Sequence, residues 1–254
     1  MRPFNTIDFD GKWIVLTGAS SGIGRAIAVA LAACNAKLVL IGRDESTLRG
    51  TAESLSGPEA RSLVMDLAET YSVADDLKKE LSEVGPVYGL CHCAGVVETR
   101  PLTSSKPEVF LRQLGVNLLA GMEIARTVAR RDTMEKDGGS LLFLASLYAH
   151  VGAPGQTAYC ASKGAIASAV RALAVELAPR NIRVNSLSPG FVKTAMTEYD
   201  ARLTQSQLDA IIAKHPLGAG MPEDIARAAV FLLNPANRWT TGADLVIDGG
   251  YTAS

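Results

Sequence analysis

Residues 12–24 read Lys12-Trp13-Ile14-Val15-Leu16-Thr17-Gly18-Ala19-Ser20-Ser21-Gly22-Ile23-Gly24, an apolar run that leads straight into a glycine-rich turn. The apolar run is typical of a strand buried in a parallel sheet. The residues from Ile23 to Ala36 place one apolar stripe at helical spacing, and a second apolar run follows at 37–41. This order predicts a βαβ unit, in which glycines let the backbone approach a diphosphate at the amino end of the helix.

The rest of the chain continues the alternation of strands and helices without a linker, a repeat or a low-complexity segment. Alternation of this kind predicts an α/β fold: a doubly wound parallel sheet of about seven strands with helices on both faces. At 254 residues the chain is predicted to form a single domain, 1–254. Strands are predicted at 12–17, 37–42, 62–66, 87–93, 139–146, 181–187 and 244–247, and the main helices at 107–131, 157–178 and 222–233.

Five residues with small or polar side chains lie at or just after the predicted strand ends. Cofactors in doubly wound sheets bind beyond the carboxyl ends of the strands. The spacing therefore predicts one shared site there, formed by Gly18, Asp66, Ala94, Ser146 and Pro189.

Tyr159 and Lys163 form a Y-x-x-x-K pair within the predicted helix 157–178. Residues four apart on a helix lie on the same face, and an ammonium beside a phenol favours the phenolate. Because an unperturbed tyrosine titrates near ~10, such a neighbour tunes it for proton transfer to a substrate oxygen. Ser146 precedes this tyrosine by thirteen residues. Without the glycine-rich turn and Ser146, the pair by itself would indicate only a solvated contact on the protein surface.

Taken in order, these motifs resemble the short-chain dehydrogenase/reductase family in its single-domain form. The resemblance covers nearly the whole chain. The family's T-G-x-x-x-G-x-G matches Thr17–Gly24, its acidic residue after the third strand matches Asp66, its N-x-x-A-G matches Asn117–Gly121, its active-site serine, tyrosine and lysine match Ser146, Tyr159 and Lys163, and its P-G-x-x-x-T matches Pro189–Thr194.

The resemblance implies an oxidoreductase that moves a hydride between a nicotinamide cofactor and a carbonyl/secondary alcohol pair. It implies that Tyr159 exchanges the proton, that Lys163 stabilises the phenolate and binds the nicotinamide ribose, and that Ser146 hydrogen-bonds the substrate oxygen. Asn117 would hold a water that links Lys163 to solvent. The residues expected to bind the cofactor are Gly18, Ser20, Ser21, Gly22, Ile23, Gly24, Arg43, Asp66, Leu67, Ala94, Gly95, Tyr159, Lys163, Pro189, Gly190, Val192 and Thr194.

The chain departs from the family pattern where N-N-A-G is usual and His92-Cys93-Ala94-Gly95 stands instead. Ala94 and Gly95 keep the backbone small beside the cofactor. Loss of the second asparagine removes a hydrogen bond that the family uses to brace its sheet. We expect a tolerated variation in which His92 is a satisfied strand residue; a catalytic base is the alternative.

The end of the second predicted strand, Leu40-Ile41-Gly42-Arg43-Asp44, bears on cofactor preference. A carboxylate there recognises a ribose 2′-hydroxyl, whereas a 2′-phosphate needs the carboxylate absent and an arginine nearby. Gly42 has no carboxylate, and Arg43 can hold a phosphate with two hydrogen bonds. Against this, Asp44 is expected to compete for Arg43, and Ser21 stands where NADP-binding members often have a basic residue. The prediction is NADP(H) over NAD(H).

The region between Pro189 and Pro222 interrupts the alternation, with one weak helical pattern at 200–214. A long segment beside a cofactor site predicts a substrate lid, placed at 191–220, and an ordinary surface excursion is the alternative. The apolar contacts that it offers are Phe191, Met196, Tyr199 and Leu203.

The predicted helices 107–131 and 157–178 are apolar over more than one stripe, which indicates burial on a second side. Together with the family resemblance, this predicts a homotetramer, with a dimer as the alternative. The net charge of −1 indicates neither a nucleic-acid nor a membrane surface. Four cysteines without metal-ligand spacing predict free buried thiols, no metal site and a cytoplasmic location.

The substrate is predicted only as a small-molecule carbonyl or alcohol, with a 3-oxoacyl thioester on a carrier protein or on coenzyme A as one candidate. A carrier protein needs a basic patch near the site. The basic residues available to such a patch are Arg100, Lys106, Arg126, Arg130 and Arg131.

One alternative is a catalytically silent dinucleotide-binding or scaffold protein, against which the four residues Asn117, Ser146, Tyr159 and Lys163 argue, since a binding module would not need them all. The other is an epimerase or dehydratase acting on nucleotide sugars, which uses the same tyrosine and lysine but resembles a longer chain with a G-x-x-G-x-x-G turn and an added substrate domain, and we expect neither feature here.

Overall fold

One parallel sheet organises the computed structural model, which describes residues 7–68, 73–194 and 204–253. The strand order is β3-β2-β1-β4-β5-β6-β7, which confirms the predicted doubly wound α/β fold. The strands are β1 (Trp13–Thr17), β2 (Lys37–Gly42), β3 (Ala60–Val64), β4 (Gly89–His92), β5 (Gly139–Leu144), β6 (Ile182–Pro189) and β7 (Asp244–Ile247).

Helices cover both faces of the sheet and bury two apolar layers. On one face, Leu77, Ile124 and Val170 pack against the sheet, and on the other face Ile27 and Ile225 do so. In the described part of the chain, no helix is long and apolar enough to cross a membrane. The helices are α1 (Gly22–Ala33), α2 (Glu45–Glu53), α3 (Val73–Val84), α4 (Pro107–Leu114), α5 (Ala120–Val128), α6 (Thr157–Leu177), α7 (Gln205–Ile212) and α8 (Pro222–Leu233).

The strand order reverses at β1, which pairs with β2 on one side and with β4 on the other. At such a switch point the loops that leave the two central strands diverge and leave a crevice. Thr17 and His92, the last residues of β1 and β4, lie opposite each other at this point. The fold therefore places the glycine-rich turn and the segment His92–Gly95 on the same edge of the sheet.

Several predicted elements differ from those observed. β4 (Gly89–His92) is shorter than the predicted 87–93, β5 ends at Leu144 rather than at 146, and β6 ends at Pro189 rather than at 187. β3 begins at Ala60 and ends at Val64, two residues before the prediction, because it pairs with β2 from Leu38 to Gly42. The helix predicted at 107–131 is interrupted by a π turn at Gly115–Leu119 and ends at Val128. A π turn inserts one residue into a helix, and because residues 107–131 are apolar over more than one stripe, periodicity alone does not reveal the insertion here.

The predicted lid, 191–220, is described in two parts, Phe191–Thr194 and 204–220. Met196, Tyr199 and Leu203 lie outside the described residues. The helical pattern predicted at 200–214 corresponds in its described part to α7, which begins with a capping box between Thr204 and Gln207. Backbone hydrogen bonds of 2.9 Å join Gly220 to Phe191 and to Lys193, so the two ends of the segment are held together.

Candidate active site

A cleft of about 410 Å³ lies at the carboxyl ends of the strands, over the switch point. All the residues expected to bind the cofactor line it, and so does Ser146. Asn117 does not, because it is fully buried behind the wall of the cleft. Further lining residues were not predicted. Those at or after strand ends are Ile41, Met65, Ala68, Cys93, Val96, Val97, Leu144 and Ala145, and two more, Arg112 and Val116, come from α4 and the turn that follows it.

The glycine-rich turn forms the floor of the cleft because side chains would not fit there. A Cβ on Gly24 would lie 2.1 Å from the carbonyl oxygen of Gly18, so the first turn of α1 packs directly on β1. Gly18 has a φ of +66°, and a Cβ there would lie 2.9 Å from the amide nitrogen of Ala94. Only glycine meets both demands at Gly18 without strain.

The amino end of α1 is suited to an anion. The residue before the helix, Ser21, forms no side-chain cap, and the first turn carries no acidic side chain. Free backbone N–H groups at a helix start favour negative charge. These features fit a dinucleotide. The glycine-rich turn, where Gly18 and Gly24 have no room for a side chain, and the uncapped start of α1 fit the diphosphate. The lining residues Asp66 and Arg43 beside them fit the adenosine portion.

Ser146 and Tyr159 come together from different elements on one wall of the cleft. Ser146 follows β5, is buried, and accepts a hydrogen bond of 3.2 Å from the backbone N–H of Tyr148, which starts a short 3-10 turn. Tyr159 lies in the first turn of α6 and is partly exposed at the cleft. Desolvation raises the pKa of Tyr159 to about 12, and the neighbouring Ser146 hydroxyl offsets part of this increase.

Lys163 is a buried cation with a single strong contact. Its Nζ donates a hydrogen bond of 2.7 Å to the carbonyl oxygen of Leu144, the last residue of β5, and lies 5.6 Å from the centre of the Tyr159 ring. Desolvation lowers the pKa of Lys163 to about 8, with a small opposing effect of Cys93. An ammonium has three donors, and among the described residues Leu144 is the only hydrogen-bond partner of this one.

The predicted lowering of the Tyr159 pKa beside Lys163 is not found in the isolated chain, where desolvation is the largest influence on this pKa. The two side chains share a helix face, as the four-residue spacing predicts, but the pKa of the phenol is raised rather than lowered. Burial decides the direction, because the ammonium is directed to Leu144 instead of the phenolic oxygen.

Asn117 lies in the π turn and uses its whole side chain to join two segments. Its Oδ1 accepts from the N–H of Val96 at 2.7 Å, and its Nδ2 donates to the carbonyl of Val96 at 3.0 Å and to Ser162 Oγ at 2.9 Å. Gly95 packs close by, since a Cβ there would lie 3.2 Å from Asn117 Oδ1 and 3.5 Å from Lys163 Nζ. The amide thus fixes the wall beside Lys163.

Two expectations about charged and polar neighbours are corrected. Asp44 does not compete for Arg43: its carboxylate caps α2, accepting from the N–H of Thr47 at 2.8 Å and from Ser46 Oγ at 2.8 Å. These contacts, the Thr47 N–H first, lower the pKa of Asp44. His92 is only half satisfied, because Nδ1 lies 3.0 Å from Thr17 Oγ1 whereas Nε2 is buried without a hydrogen bond.

The cysteines are free, as predicted, but only one of them is fully buried. Cys91 lies in the core, whereas Cys34, Cys93 and Cys160 are partly exposed. The sulfur atoms of Cys91 and Cys93 lie 3.5 Å apart, which confirms that they share one face of β4 and its extension.

Comparison with known proteins gives consistent matches over the length of the chain. A family model described as enoyl-(acyl carrier protein) reductase matches residues 18–252. Galactitol 2-dehydrogenase (L-tagatose-forming) of Cereibacter sphaeroides is 35% identical over 246 residues, covering 96% of each chain. The 3-oxoacyl-(acyl-carrier-protein) reductase FabG of Escherichia coli is 33% identical over 245 residues, covering 96% of this chain and 98% of the relative.

Two solved structures with bound cofactors are similar to this fold. A protein from Agrobacterium tumefaciens, described as a 2-deoxy-D-gluconate 3-dehydrogenase with bound NADP, has a TM-score of 0.86 at 30% identity and covers 98% of this chain and 100% of its own. A 7α-hydroxysteroid dehydrogenase in complex with NADH has a TM-score of 0.91 at 28% identity, covering 98% of each chain.

Proposed function

The chain belongs to the short-chain dehydrogenase/reductase family, and we propose that it is an NADP(H)-dependent member in which Tyr159 exchanges the proton with the substrate oxygen. It is an oxidoreductase acting between a CH–OH group and a carbonyl, as its relatives are. The observation that carries the proposed roles is the meeting of Ser146, Tyr159 and Lys163 in the cleft that the glycine-rich turn forms.

The chain supplies position and electrostatics, and the cofactor supplies or accepts the hydride. The glycine-rich turn would hold the diphosphate, and Asp66 and Leu67 the adenine side. Lys163 would bind the nicotinamide ribose hydroxyls, because two of its three donors have no partner among the described residues.

Tyr159 donates its proton to the carbonyl oxygen in reduction and removes it from the alcohol in oxidation. A pKa of about 12 keeps the phenol neutral in the isolated chain, which is the form required for reduction. Positive charge brought close to the phenolic oxygen lowers that pKa and favours oxidation. Ser146 would hydrogen-bond the same substrate oxygen and stabilise its developing charge.

The proposed relay role of Asn117 falls to its backbone. Its side chain is fully engaged with Val96 and Ser162, so a water on the path to Lys163 would be held by a main-chain carbonyl of the π turn. Turns of this type often lie at functional sites, since they leave backbone groups outside the regular helix ladder.

The NADP(H) preference rests on the end of β2. Gly42 offers no carboxylate to a ribose 2′-hydroxyl, and Arg43 lines the cleft beside it. Since Asp44 is committed to capping α2, it does not neutralise Arg43. A guanidinium that is free to turn toward the cleft can hold a 2′-phosphate with two hydrogen bonds.

Two substrate classes are proposed. Reduction of a 3-oxoacyl thioester is supported by the identity with the acyl-carrier-protein reductase. Oxidation of a polyol is supported by the 35% sequence identity to galactitol 2-dehydrogenase. It is also supported by the small number of unpaired side chains in the basic patch that a carrier protein could contact. Three of the five arginine and lysine side chains available to a carrier protein are neutralised by acids: Arg100 by Glu98, Arg126 by Glu123 and Arg130 by Asp132.

A substrate screen with both cofactors tests the proposal. Acetoacetyl thioesters and polyols such as galactitol would be offered with NADP(H) and with NAD(H), and absorbance of the reduced cofactor followed. We expect turnover of one class, faster with NADP(H). Turnover of the thioester alone selects the first substrate class, and turnover of the polyol alone selects the second. A folded protein that turns over neither class with either cofactor contradicts the proposal.

A homotetramer, a substrate lid at 191–220 and a cytoplasmic location belong to the same proposal. The tetramer is supported by apolar side chains exposed on the α4–α6 side, where Leu111 is 67% and Val175 78% exposed. Light scattering that finds a stable monomer at micromolar concentration would refute it. The lid is supported by Thr194, which lies against the glycine-rich turn: a Cβ on Gly22 would be 3.2 Å from Thr194 Cγ2.

A further inference from the structure

His92 connects the glycine-rich turn to the wall behind Lys163. It is the last residue of β4 and is 1% exposed. Its two ring nitrogens lie against different elements: Nδ1 is 3.0 Å from Thr17 Oγ1 at the end of β1, and Nε2 packs on Gly121 in the first turn of α5, directly after the π turn. The short-chain dehydrogenase/reductase pattern usually has an asparagine at this position, and this chain has a histidine.

The hydrogen bonds around Thr17 fix the tautomer of His92. Thr17 Oγ1 accepts from the N–H groups of Cys93 and Ala94, each at 3.1 Å. A hydroxyl has two acceptor positions and one donor, so its proton must go to His92 Nδ1, 3.0 Å away. A neutral imidazole that accepts at Nδ1 carries its proton on Nε2. Thr17 Oγ1 therefore joins the end of β1 to His92, Cys93 and Ala94 at the end of β4 through three hydrogen bonds.

The N–H at Nε2 lies at the start of α5, beside the π turn. A Cβ on Gly121 would lie 2.9 Å from His92 Nε2 and 2.7 Å from Cδ2, so glycine there admits the ring. Desolvation lowers the pKa of His92, and the backbone of Val116 and of Asn117 opposes this lowering, so the π turn lies close to the ring. Among the described residues, however, Nε2 completes no hydrogen bond. A buried donor strongly favours the acceptors within its reach.

The π turn also contacts the wall of the cleft that contains Lys163. Asn117 holds Val96 through two hydrogen bonds and Ser162 through a third, and Ser162 directly precedes Lys163 on α6. Thr17, His92, the π turn with Asn117, and α6 with Lys163 thus lie in series from the floor of the cleft to the residue assigned to the cofactor ribose, and the step from His92 to the π turn is a packing contact rather than a hydrogen bond.

We propose that His92 is a positioning residue: by accepting from Thr17 and packing closely against Gly121 beside the π turn, it keeps the glycine-rich turn and the Asn117–Lys163 wall in fixed relation. It touches neither substrate nor cofactor. The inference rests on the proposed function, because its effect on rate is exerted through Asn117 and Lys163.

The test compares two variants. His92→Phe keeps a ring but removes the acceptor at Nδ1 and the donor at Nε2, whereas His92→Asn restores a donor and an acceptor. Phe143→Leu is the matched control, since Phe143 packs on the same imidazole with ring centres 6.2 Å apart and lies outside the site. We expect His92→Phe to lower kcat about tenfold or more, and KM for the carbonyl substrate to change little, because a buried hydrogen-bonding link is lost. His92→Asn should recover most of kcat, and Phe143→Leu should lower Tm with kcat unchanged.

A value of kcat for folded His92→Phe within about twofold of wild type, or no lower than for Phe143→Leu, overturns the proposal. If His92→Phe does not fold, Thr17→Val cuts the same link from its other end, and an unchanged kcat in that variant overturns it equally. Failure of the proposed function has a different signature, because Tyr159→Phe would then retain turnover whatever His92 does.

Discussion

Lys163 and Arg183 are both buried cations, 3% and 8% exposed, at opposite ends of the same sheet. Arg183 is near the start of β6, where its guanidinium donates to the carbonyls of Leu232 at 2.6 Å and Asn234 at 3.2 Å at the carboxyl end of α8. Lys163 reaches the last residue of β5 and has one hydrogen bond, to Leu144.

The difference separates a structural cation from a reactive one. A helix carboxyl end presents unpaired carbonyls and partial negative charge. The guanidinium of Arg183 therefore supplies donors to these carbonyls, and the carbonyls supply acceptors to the buried guanidinium. Lys163 has no such set of partners, and desolvation lowers its pKa to about 8. A buried ammonium left with spare donors is costly for stability and useful for binding hydroxyl groups.

Replacing Lys163 should have the largest effect, with activity and stability changing in opposite directions. We expect Lys163→Met to lower kcat/KM about a thousandfold and to raise the free energy of unfolding at pH 7 by ~1–2 kcal/mol, because an underpaired buried charge is removed. Urea unfolding and steady-state kinetics would measure the two effects. Lys78→Met, the same change at an exposed position of α3, is the control and should alter neither.

The stability gain of Lys163→Met should also depend on pH. The folded pKa of about 8 lies below the usual 10.5, so the unfolded chain binds a proton that the folded chain lacks between these values. The free energy of unfolding of the wild type therefore rises between about pH 8 and 10.5, and its difference from that of Lys163→Met shrinks. A gap that stays constant from pH 7 to 10 would show that Lys163 is not desolvated as described.

Arg183→Ala should give the opposite result to Lys163→Met. It leaves the carbonyls at the end of α8 without a partner, and we expect a loss of about 3 kcal/mol in the free energy of unfolding. The kcat of the folded enzyme should stay within about twofold, because the side chain lies far from the cleft along β6. A loss of activity without a loss of stability would contradict the structural role of Arg183.

His92 adds a third buried base to the comparison, and its signature is at acid pH. Desolvation first, and Lys163 second, lower its pKa from 6.5 to about 4. The unfolded chain therefore binds a proton that the folded chain lacks in this window, and stability falls as pH drops from 6.5 toward 4, by about 3 kcal/mol in full. His92→Asn should flatten this fall in urea unfolding curves. Parallel pH profiles for wild type and variant would contradict the assignment.

The smallest expected effect concerns Arg43, an exposed side chain at the cleft. We expect Arg43→Ala to weaken NADP(H) binding about tenfold, and Arg43→Ala combined with Gly42→Asp to reverse the preference. A Cβ at Gly42 would lie 3.2 Å from Leu48 Cδ1, the end of a flexible side chain, so aspartate needs only a small adjustment. Fluorescence titration measures both affinities. Tighter binding of NADH by the unmodified protein would contradict the prediction.

The sequence was sufficient for the fold and for the location of the site because both depend on local patterns. Apolar runs mark the strands, and a glycine such as Gly24 is required where any Cβ would meet the backbone 2.1 Å away. Strand ends in a parallel sheet then converge by topology, which brought Ser146, Tyr159 and Lys163 to one cleft.

The remaining features depend on packing between distant segments. The π turn at Gly115–Leu119 leaves the apolar pattern intact, so it gives no periodic signal. The pKa of Tyr159 depends on how deeply α6 is buried and on where the Lys163 ammonium is directed. Arg183 finds its acceptors 49 or more residues away along the chain, and all but the Tyr88 hydroxyl are backbone carbonyls that any sequence provides.

The most direct measurement of the central claim is the rate of NADPH consumption by Tyr159→Phe, with the substrate identified in the screen, together with cofactor affinity by titration. Phenylalanine keeps the ring and removes only the transferable proton. The proposed mechanism predicts a rate lower by about a thousandfold or more with cofactor affinity within about threefold of wild type. Retention of more than about a tenth of the wild-type rate would show that Tyr159 is not the acid/base of the reaction.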